Sequence, residues 1–176
     1  MRAPGCLLLA LAGLVSCVNV PDTYAPPAQR RPVGGLEPQP IGSYVSMSDP
    51  RADLYIVKDI AGTTEGGTWR WTNQNPTLQF RLLRKHDLKL RVEYTVAETS
   101  FARTGPVSII FLVNGHTLET VYAPAPGPRV FEKPVPRQWL AGGEEVIVTL
   151  SIDKVYVAEA DGNRLGFILK SAGFVE

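Results

Sequence analysis

The sequence predicts an all-β protein in which residues 47–176 form a single β-sandwich domain of the jelly-roll type. Apolar and polar residues alternate most clearly from Asp87 to Glu98, and this period of two is typical of a strand with one buried face. Asn114-Gly115 lies between two apolar runs and predicts a type I′ hairpin turn, whose two central residues need positive φ. No ten-residue window has the 3.6-residue period of an amphipathic helix.

We predict nine or ten strands in total, separated by turns rich in glycine and proline. They are expected at 53–60, 68–72, 77–83, 87–98, 107–113, 116–123, 130–135, 145–151, 154–158 and 165–175. A domain of this size buries roughly 70% of its unfolded surface, which is enough for a core without disulfides. The absence of an internal sequence repeat disfavours a propeller or a solenoid.

Residues 1–16 predict a signal peptide, because Arg2 precedes an apolar run from Cys6 to Val15 that is shorter than the about 20 residues of a membrane span. The run ends in Leu14-Val15-Ser16-Cys17, which resembles the lipobox of bacterial lipoproteins. The resemblance implies that Cys17 is acylated and becomes the first mature residue. Such a protein is anchored to the membrane without spanning it. The alternative is an ordinary signal peptide with a chance cysteine.

The predicted location is the bacterial cell envelope. Val18 follows Cys17 in place of aspartate, and resemblance to enterobacterial sorting then implies the outer membrane. Residues 17–46 are rich in proline and glycine and lack any hydrophobic period. They predict a disordered spacer, partly in the polyproline conformation, between the lipid and the domain.

Charge and cysteine content exclude several functions. Of 18 basic and 17 acidic residues, the leader holds only Arg2, so the mature chain is formally neutral and nucleic acid is not expected as a partner. The two cysteines are Cys6, lost with the leader, and Cys17, blocked by lipid. No thiol then remains for a disulfide, a zinc site or a nucleophile.

The residues that could support catalysis form no recognisable set. The chain has two histidines, His86 and His116, and no Gly-x-Ser-x-Gly elbow. No carboxylate pair stands out for glycoside hydrolysis, and no glycine-rich phosphate loop precedes a helix. Asp161 and Asn163 flank Gly162 in a segment that could offer oxygen ligands to calcium, but a plain turn is preferred. We therefore predict no catalytic residue, no metal site and no cofactor.

Trp69 and Trp71 are expected on one face of one strand. They predict either an aromatic platform for sugars or a core pair, because tryptophan is heavily buried on average. We expect Trp71 in the core, Arg70 towards solvent, and Trp69 near the sheet edge. The candidate ligand-binding residues are accordingly Trp69, Arg70 and Asn73.

Two further features are expected at the surface. The basic residues from 81 to 91 favour a solvated sheet face that guards a strong strand, with recognition of an anionic polymer as the alternative. They are Arg81, Arg84, Lys85, Lys89 and Arg91. Trp139 is expected in a loop packed over an open end of the sandwich.

The order of several short motifs resembles a bacterial accessory module with a galactose-binding-like β-sandwich fold, found attached to envelope glycosyltransferases or alone in lipoproteins. The motifs are Arg70-Trp71-Thr72, Leu112-Val113-Asn114-Gly115, Val135-Pro136 with Leu140, and Arg164-Leu165-Gly166 to Gly173-Phe174. The resemblance covers most of residues 50–176 and implies a non-catalytic binding or docking module.

Two functions from different classes follow from the sequence. The favoured one is a membrane-anchored, non-catalytic binding or structural module of the cell envelope, which contacts glycan or another envelope protein. The alternative is a small hydrolase, or an enzyme subunit, that acts on envelope polysaccharide.

Overall fold

The computed structural model describes residues 41–160 and 162–176. The predicted signal peptide, Cys17 and most of the predicted linker lie outside the described residues. The described strands are, in chain order, β1 (Tyr44–Ser46), β2 (Ile56–Ile60), β3 (Arg70–Arg81), β4 (Lys89–Val96), β5 (Val107–Val113), β6 (His116–Ala123), β7 (Gly127–Pro134), β8 (Glu145–Ile152), β9 (Tyr156–Val157), β10 (Arg164–Leu165) and β11 (Ile168–Val175). This confirms the all-β fold class.

Helical structure in the described chain is limited to short segments. One α-helix, α1 (Glu98–Thr104), has seven residues, so it is shorter than the ten-residue window on which the sequence analysis relied. Two 3₁₀ turns cover Ala52–Leu54 and Arg137–Leu140. None of the described helices is long and apolar enough to cross a bilayer.

The strands form two antiparallel layers that share β3. In one layer the order is β6-β5-β8-β3-β2, and in the other β11 lies between β4 and the beginning of β3, with β7 on the far side of β4 and β1 on β11. Within β3, Arg70 and Trp71 pair with β11, whereas Thr77 to Arg81 pair with β8. The short strands β9 and β10 form a separate ribbon.

Aromatic rings from the two layers meet in the core. Phe111 of β5 stacks on Phe131 of β7 with centroids 3.8 Å apart. Phe80 of β3 meets Phe174 of β11 edge to face at 5.7 Å. The buried positions of β4 alternate as predicted. The layers therefore pack as a sandwich whose interior is closed by interlocking apolar side chains.

The folded unit begins before Met47. Tyr44–Ser46, placed in the linker by the sequence analysis, form β1 and pair antiparallel with Gly173 to Ser171 of β11. Met47 itself is fully buried. A three-residue edge strand carries too little periodic signal to be recognised without its partner.

Strand β3 runs from one end of the sandwich, the Trp71 end, to the other, the Arg81 end. At the Arg81 end, β3 finishes beside the start of β8, and the Arg81 amide donates to the carbonyl of Gly42 at 3.1 Å. At the Trp71 end, β3 begins beside the start of β11. Ten residues of strand separate these ends, which corresponds to about 30 Å.

Candidate functional site

Trp71, in β3, and Trp69, which immediately precedes this strand, contact each other on the outside of the sandwich. The rings of Trp69 and Trp71 meet edge to face, with centroids 5.6 Å apart and planes at 87°. Both side chains are half-buried. The expectation that Trp71 lies in the core is therefore wrong. Trp69 does lie just before the strand begins, where its backbone forms an isolated antiparallel β-bridge with Glu65.

Arg70 was expected to face solvent, and the structure places it inside. Its side chain is 5% exposed. Its Nη1 pairs with the carboxylate of Asp53 and donates to the carbonyls of Ala61 and Gly62, each at 3.3 Å. Arg70 is thus not placed to contact a surface ligand. It instead holds the segment that leads to the tryptophan pair.

The phase of β3 explains both corrections. The sequence pattern predicts two strands here, separated at residues 73–76, where two asparagines and a proline interrupt the apolar pattern. The structure has one continuous strand in which Leu78 and Phe80 face the core, and the same parity directs Arg70 and Thr72 inward. If the alternation seen at Leu78 and Phe80 is continued back through the strand, it predicts correctly that Arg70 and Thr72 face inward.

Thr72 joins the last part of the chain to β3. Its hydroxyl donates to the Phe167 carbonyl at 2.8 Å and accepts the Phe167 amide at 3.0 Å. The Gly166 amide donates to the Thr72 carbonyl at 2.8 Å. A Cβ at Gly166 would stand 2.5 Å from the Asn73 carbonyl oxygen, so only glycine permits this approach. The contact brings β10 beside Trp71.

These elements enclose an open groove of about 320 Å³ between the end of β2, the start of β3 and β10. Trp71 forms one wall, and Trp69 braces Trp71 from outside the groove. The other lining residues are polar or charged at Asp59, Thr63, Glu65, Thr72, Asn73, Asn163 and Arg164 and apolar at Ile60, Ala61 and Leu165. The structure therefore brings the predicted Trp69 and Asn73 together with Trp71, which was expected in the core, and leaves Arg70 behind them.

Hydrogen bonds fix several of these polar groups. The Arg164 Nη2 donates to Gln74 Oε1 at 2.8 Å. Asn73 Oδ1 accepts the Gln74 amide at 2.8 Å. Asp59 Oδ2 accepts the Asn75 amide at 3.1 Å.

Sequence reasoning missed Asp59, Glu65 and Arg164. Asp59 has a positive φ of 61°, a conformation that aspartate adopts more readily than most residues. It lies where the pairing of β2 with β3 shifts register. Glu65 precedes Gly66-Gly67, a turn signal visible in the sequence. Nothing local signals the proximity of Arg164, which depends on the Thr72–Phe167 contact.

A larger cleft of about 590 Å³ lies at the Arg81 end. Its lining includes Ile41, Leu88 and Phe174, and Leu83, whose side chain is 81% exposed. Its polar lining residues are Ser43, Arg81, Arg84 and Glu176, and no tryptophan of the described chain lines it. We therefore place the candidate site at the Trp71 end.

The basic residues near the Arg81 end are engaged with acidic partners, as expected for a solvated face. Arg81 pairs with Glu144 at 2.6 Å, and Arg91 pairs with Glu93 at 2.8 Å and with Glu132 at 3.0 Å. These hydrogen bonds, above all those that Arg91 donates to Glu93, raise the pKa of Arg91. Lys89 and Arg84 form longer pairs, and Lys85 donates to a backbone carbonyl.

The remaining predicted features lie apart from the groove or outside the description. Trp139 lies in the 3₁₀ turn Arg137–Leu140, packs against the core and stacks on His116 with centroids 5.1 Å apart. Asp161, which the sequence analysis considers as a calcium ligand, lies outside the described residues. The Asn163 carbonyl accepts the Ala158 amide at 2.8 Å, and the Gly162 amide donates to the Ala158 carbonyl at 2.8 Å. The described residues include no cluster of three or more acidic, histidine or cysteine side chains suited to a metal ion.

Comparison with known proteins gave similarities in structure only. No protein-family model matches this sequence, and no curated protein matches it. A family 35 carbohydrate binding module from Clostridium thermocellum is 8% identical, with a TM-score of 0.45 over 77% of this chain and 99% of its own. A module of the same family from Paenibacillus barcinonensis is 12% identical, with a TM-score of 0.40 over 77% and 99%.

Another solved structure that is similar to this chain is that of a family GH115 4-O-methyl-α-glucuronidase with specificity for decorated arabinogalactans. It is 12% identical, with a TM-score of 0.46 over 88% of this chain and 19% of its own. This chain thus spans about a fifth of that enzyme's length.

Proposed function

We propose that this protein is a non-catalytic glycan-binding module and that the groove at the Trp71 end is its binding site. The observation that carries the proposal is the edge-to-face pair of Trp69 and Trp71, half-buried beside an open groove. A sugar ring presents a face of C–H groups that gains most from contact with a flat aromatic surface. Because Trp69 braces Trp71 at a right angle, the Trp71 ring is held in place before a ligand arrives.

The polar rim supports the same function. The amide of Asn73 and the guanidinium of Arg164 supply donors, and the carboxylates of Asp59 and Glu65 supply acceptors, all along one groove. A few placed polar groups beside an aromatic wall fix the orientation of a small ligand. The groove volume of about 320 Å³ lies near the lower end of the range of about 300–1,000 Å³ for such sites, which suits a short stretch of polymer.

We further propose that the module is displayed from a membrane of the bacterial cell envelope through an acyl chain on Cys17. The leader sequence supports the anchor. The position of the groove supports the display, because Ile41 and Gly42 lie at the Arg81 end, about 30 Å along β3 from Trp71. An envelope protein is the alternative partner at the same groove.

Glycan arrays and titration calorimetry on residues 38–176 test the proposal, because this segment contains all of the described core. Trp71→Ala is expected to weaken binding about tenfold, since such an aromatic contact contributes about 1–1.5 kcal/mol. Trp69→Ala should weaken binding less, through loss of the brace. Trp139→Ala is the matched control, because this tryptophan is also half-buried but stacks on His116 outside the groove.

Thermal unfolding of all three variants separates lost contact from lost folding. Unchanged affinity in both Trp69→Ala and Trp71→Ala would contradict the site, and absence of saccharide binding by the wild type would contradict the function. Loss of polymer on incubation with the wild type would support the hydrolase instead.

A further inference from the structure

The groove at the Trp71 end carries more negative than positive charge. Of the described residues, three with ionisable side chains line it: Asp59 and Glu65 with their carboxylates and Arg164 with its guanidinium. Neither carboxylate takes part in an ion pair within the described chain, and Arg164 donates to the neutral amide oxygen of Gln74. The formal charge along the groove is therefore negative by one unit.

Among the described residues, Arg164 is the only cation that lines the groove. The guanidinium of Arg70 pairs with Asp53, and Lys154 Nζ donates to the Pro106 carbonyl at 2.6 Å. Lys58 precedes Asp59 in the chain but does not line the groove. The basic residues of the Arg81 end lie about 30 Å away, well beyond the Debye length of about 8 Å at physiological salt.

We propose that this groove selects sugars by charge and takes an amine-bearing hexosamine in preference to a neutral hexose, and a neutral hexose in preference to a uronic acid. This inference rests on the proposed function. A protonated amine has three donors, which Asp59 and Glu65 can accept while Trp71 contacts the ring. A uronate brings a like charge, and Arg164 alone is available to offset it.

Binding of three trisaccharides with the same linkage, built from glucosamine, glucose or glucuronic acid, tests the order. The measurement is made at slightly acidic pH, where the amines of glucosamine are protonated. Each step in the order is expected to be about two- to fivefold in Kd, as for solvent-exposed charge pairs. The steps should shrink as salt is added, because exposed charges are screened.

Two variants assign the selectivity to its residues. Glu65→Gln and Asp59→Asn should each reduce the advantage of glucosamine over glucose by about twofold. Asparagine tolerates the positive φ at residue 59 and keeps an oxygen for the Asn75 amide. Glu145→Gln is the control, because this exposed carboxylate begins β8 at the Arg81 end and should leave the order intact.

The outcomes separate this inference from the function beneath it. Preference for glucuronic acid, equal affinity for all three sugars, or selectivity unchanged in both variants would overturn charge selection while the site still binds sugar. Failure of every saccharide to bind would overturn the proposed function and this inference with it.

Discussion

Asp53 and Arg70 form an ion pair in which one partner is exposed and the other is buried. The Asp53 side chain is 67% exposed, and that of Arg70 is 5% exposed. The guanidinium enters from the core side of β3, and the carboxylate reaches it from the 3₁₀ turn at Ala52–Leu54. Since the same Nη1 also donates to the carbonyls of Ala61 and Gly62, one buried cation joins three segments behind the tryptophan pair.

Removal of the exposed partner should loosen this junction. Asp53→Ala leaves the guanidinium with carbonyl partners alone, and we expect a loss of about 1–3 kcal/mol in the free energy of unfolding, less than for a pair buried at both ends. Amides of residues 61–65 should exchange faster with solvent. Asp49→Ala is the control, because the Asp49–Arg51 pair is exposed at both ends and should matter by less than about 1 kcal/mol. Equal effects of the two variants on urea unfolding would contradict a special role for the buried cation.

The seam between β1 and β11 depends on one glycine. Gly173 has φ of 149°, and a Cβ there would lie 2.3 Å from the Ser43 carbonyl oxygen. Gly173→Ala should therefore displace β1 and lower stability by about 3 kcal/mol or more. Gly142→Ala meets open space and should change stability by less than about 1 kcal/mol in either direction. Thermal unfolding compares the two, and a near-native melting temperature for Gly173→Ala would refute the close approach.

Tyr94 should make the fold sensitive to high pH. Burial raises the pKa of its hydroxyl, and the charge of Arg129 opposes this in part. Because the folded state holds the proton more tightly, the stabilisation is fully present below the unfolded pKa of about 10 and is lost as pH rises through the folded pKa. Tyr94→Phe should flatten the dependence of stability on pH above about 10. Tyr122→Phe, at a side chain 61% exposed, should leave it unchanged, and an identical alkaline profile in all three proteins would contradict the assignment.

The lipid anchor is tested at Cys17. Cys17→Ala should release the protein from the membrane fraction or leave its leader uncleaved, because this change removes the thiol that is proposed to carry the lipid. Metabolic labelling with a fatty-acid analogue provides the measurement. Absence of label on the wild-type chain would refute acylation.

The folded unit should need no crosslink. Residues 38–176 contain no cysteine, so their cooperative unfolding is expected to be indifferent to reducing agent, with a circular dichroism spectrum of the β type. A large helical signal would be incompatible with a domain whose described α-helix spans seven residues.

Some of the site could be predicted and some could not. The pairing of two tryptophans on one strand face follows from the period of two alone. Which face they share depends on whether residues 73–76 interrupt the strand, and Pro76 favoured an interruption that the structure does not have. A proline is tolerated there because its position lies between the segments of β3 that pair with β11 and with β8, where no ladder hydrogen bond is lost.

The sequence by itself determined the all-β class, the strands with strong alternation and the Asn114-Gly115 hairpin, because each depends on the order of neighbouring residues. Tertiary structure decided the groove. Asp59 and Arg164 are more than 100 positions apart in the sequence, and they meet because Thr72 binds Phe167 while β2 pairs with β3. Such meetings depend on strand pairing and on the packing of two layers, and a local pattern of polar and apolar residues carries no record of which strands become neighbours.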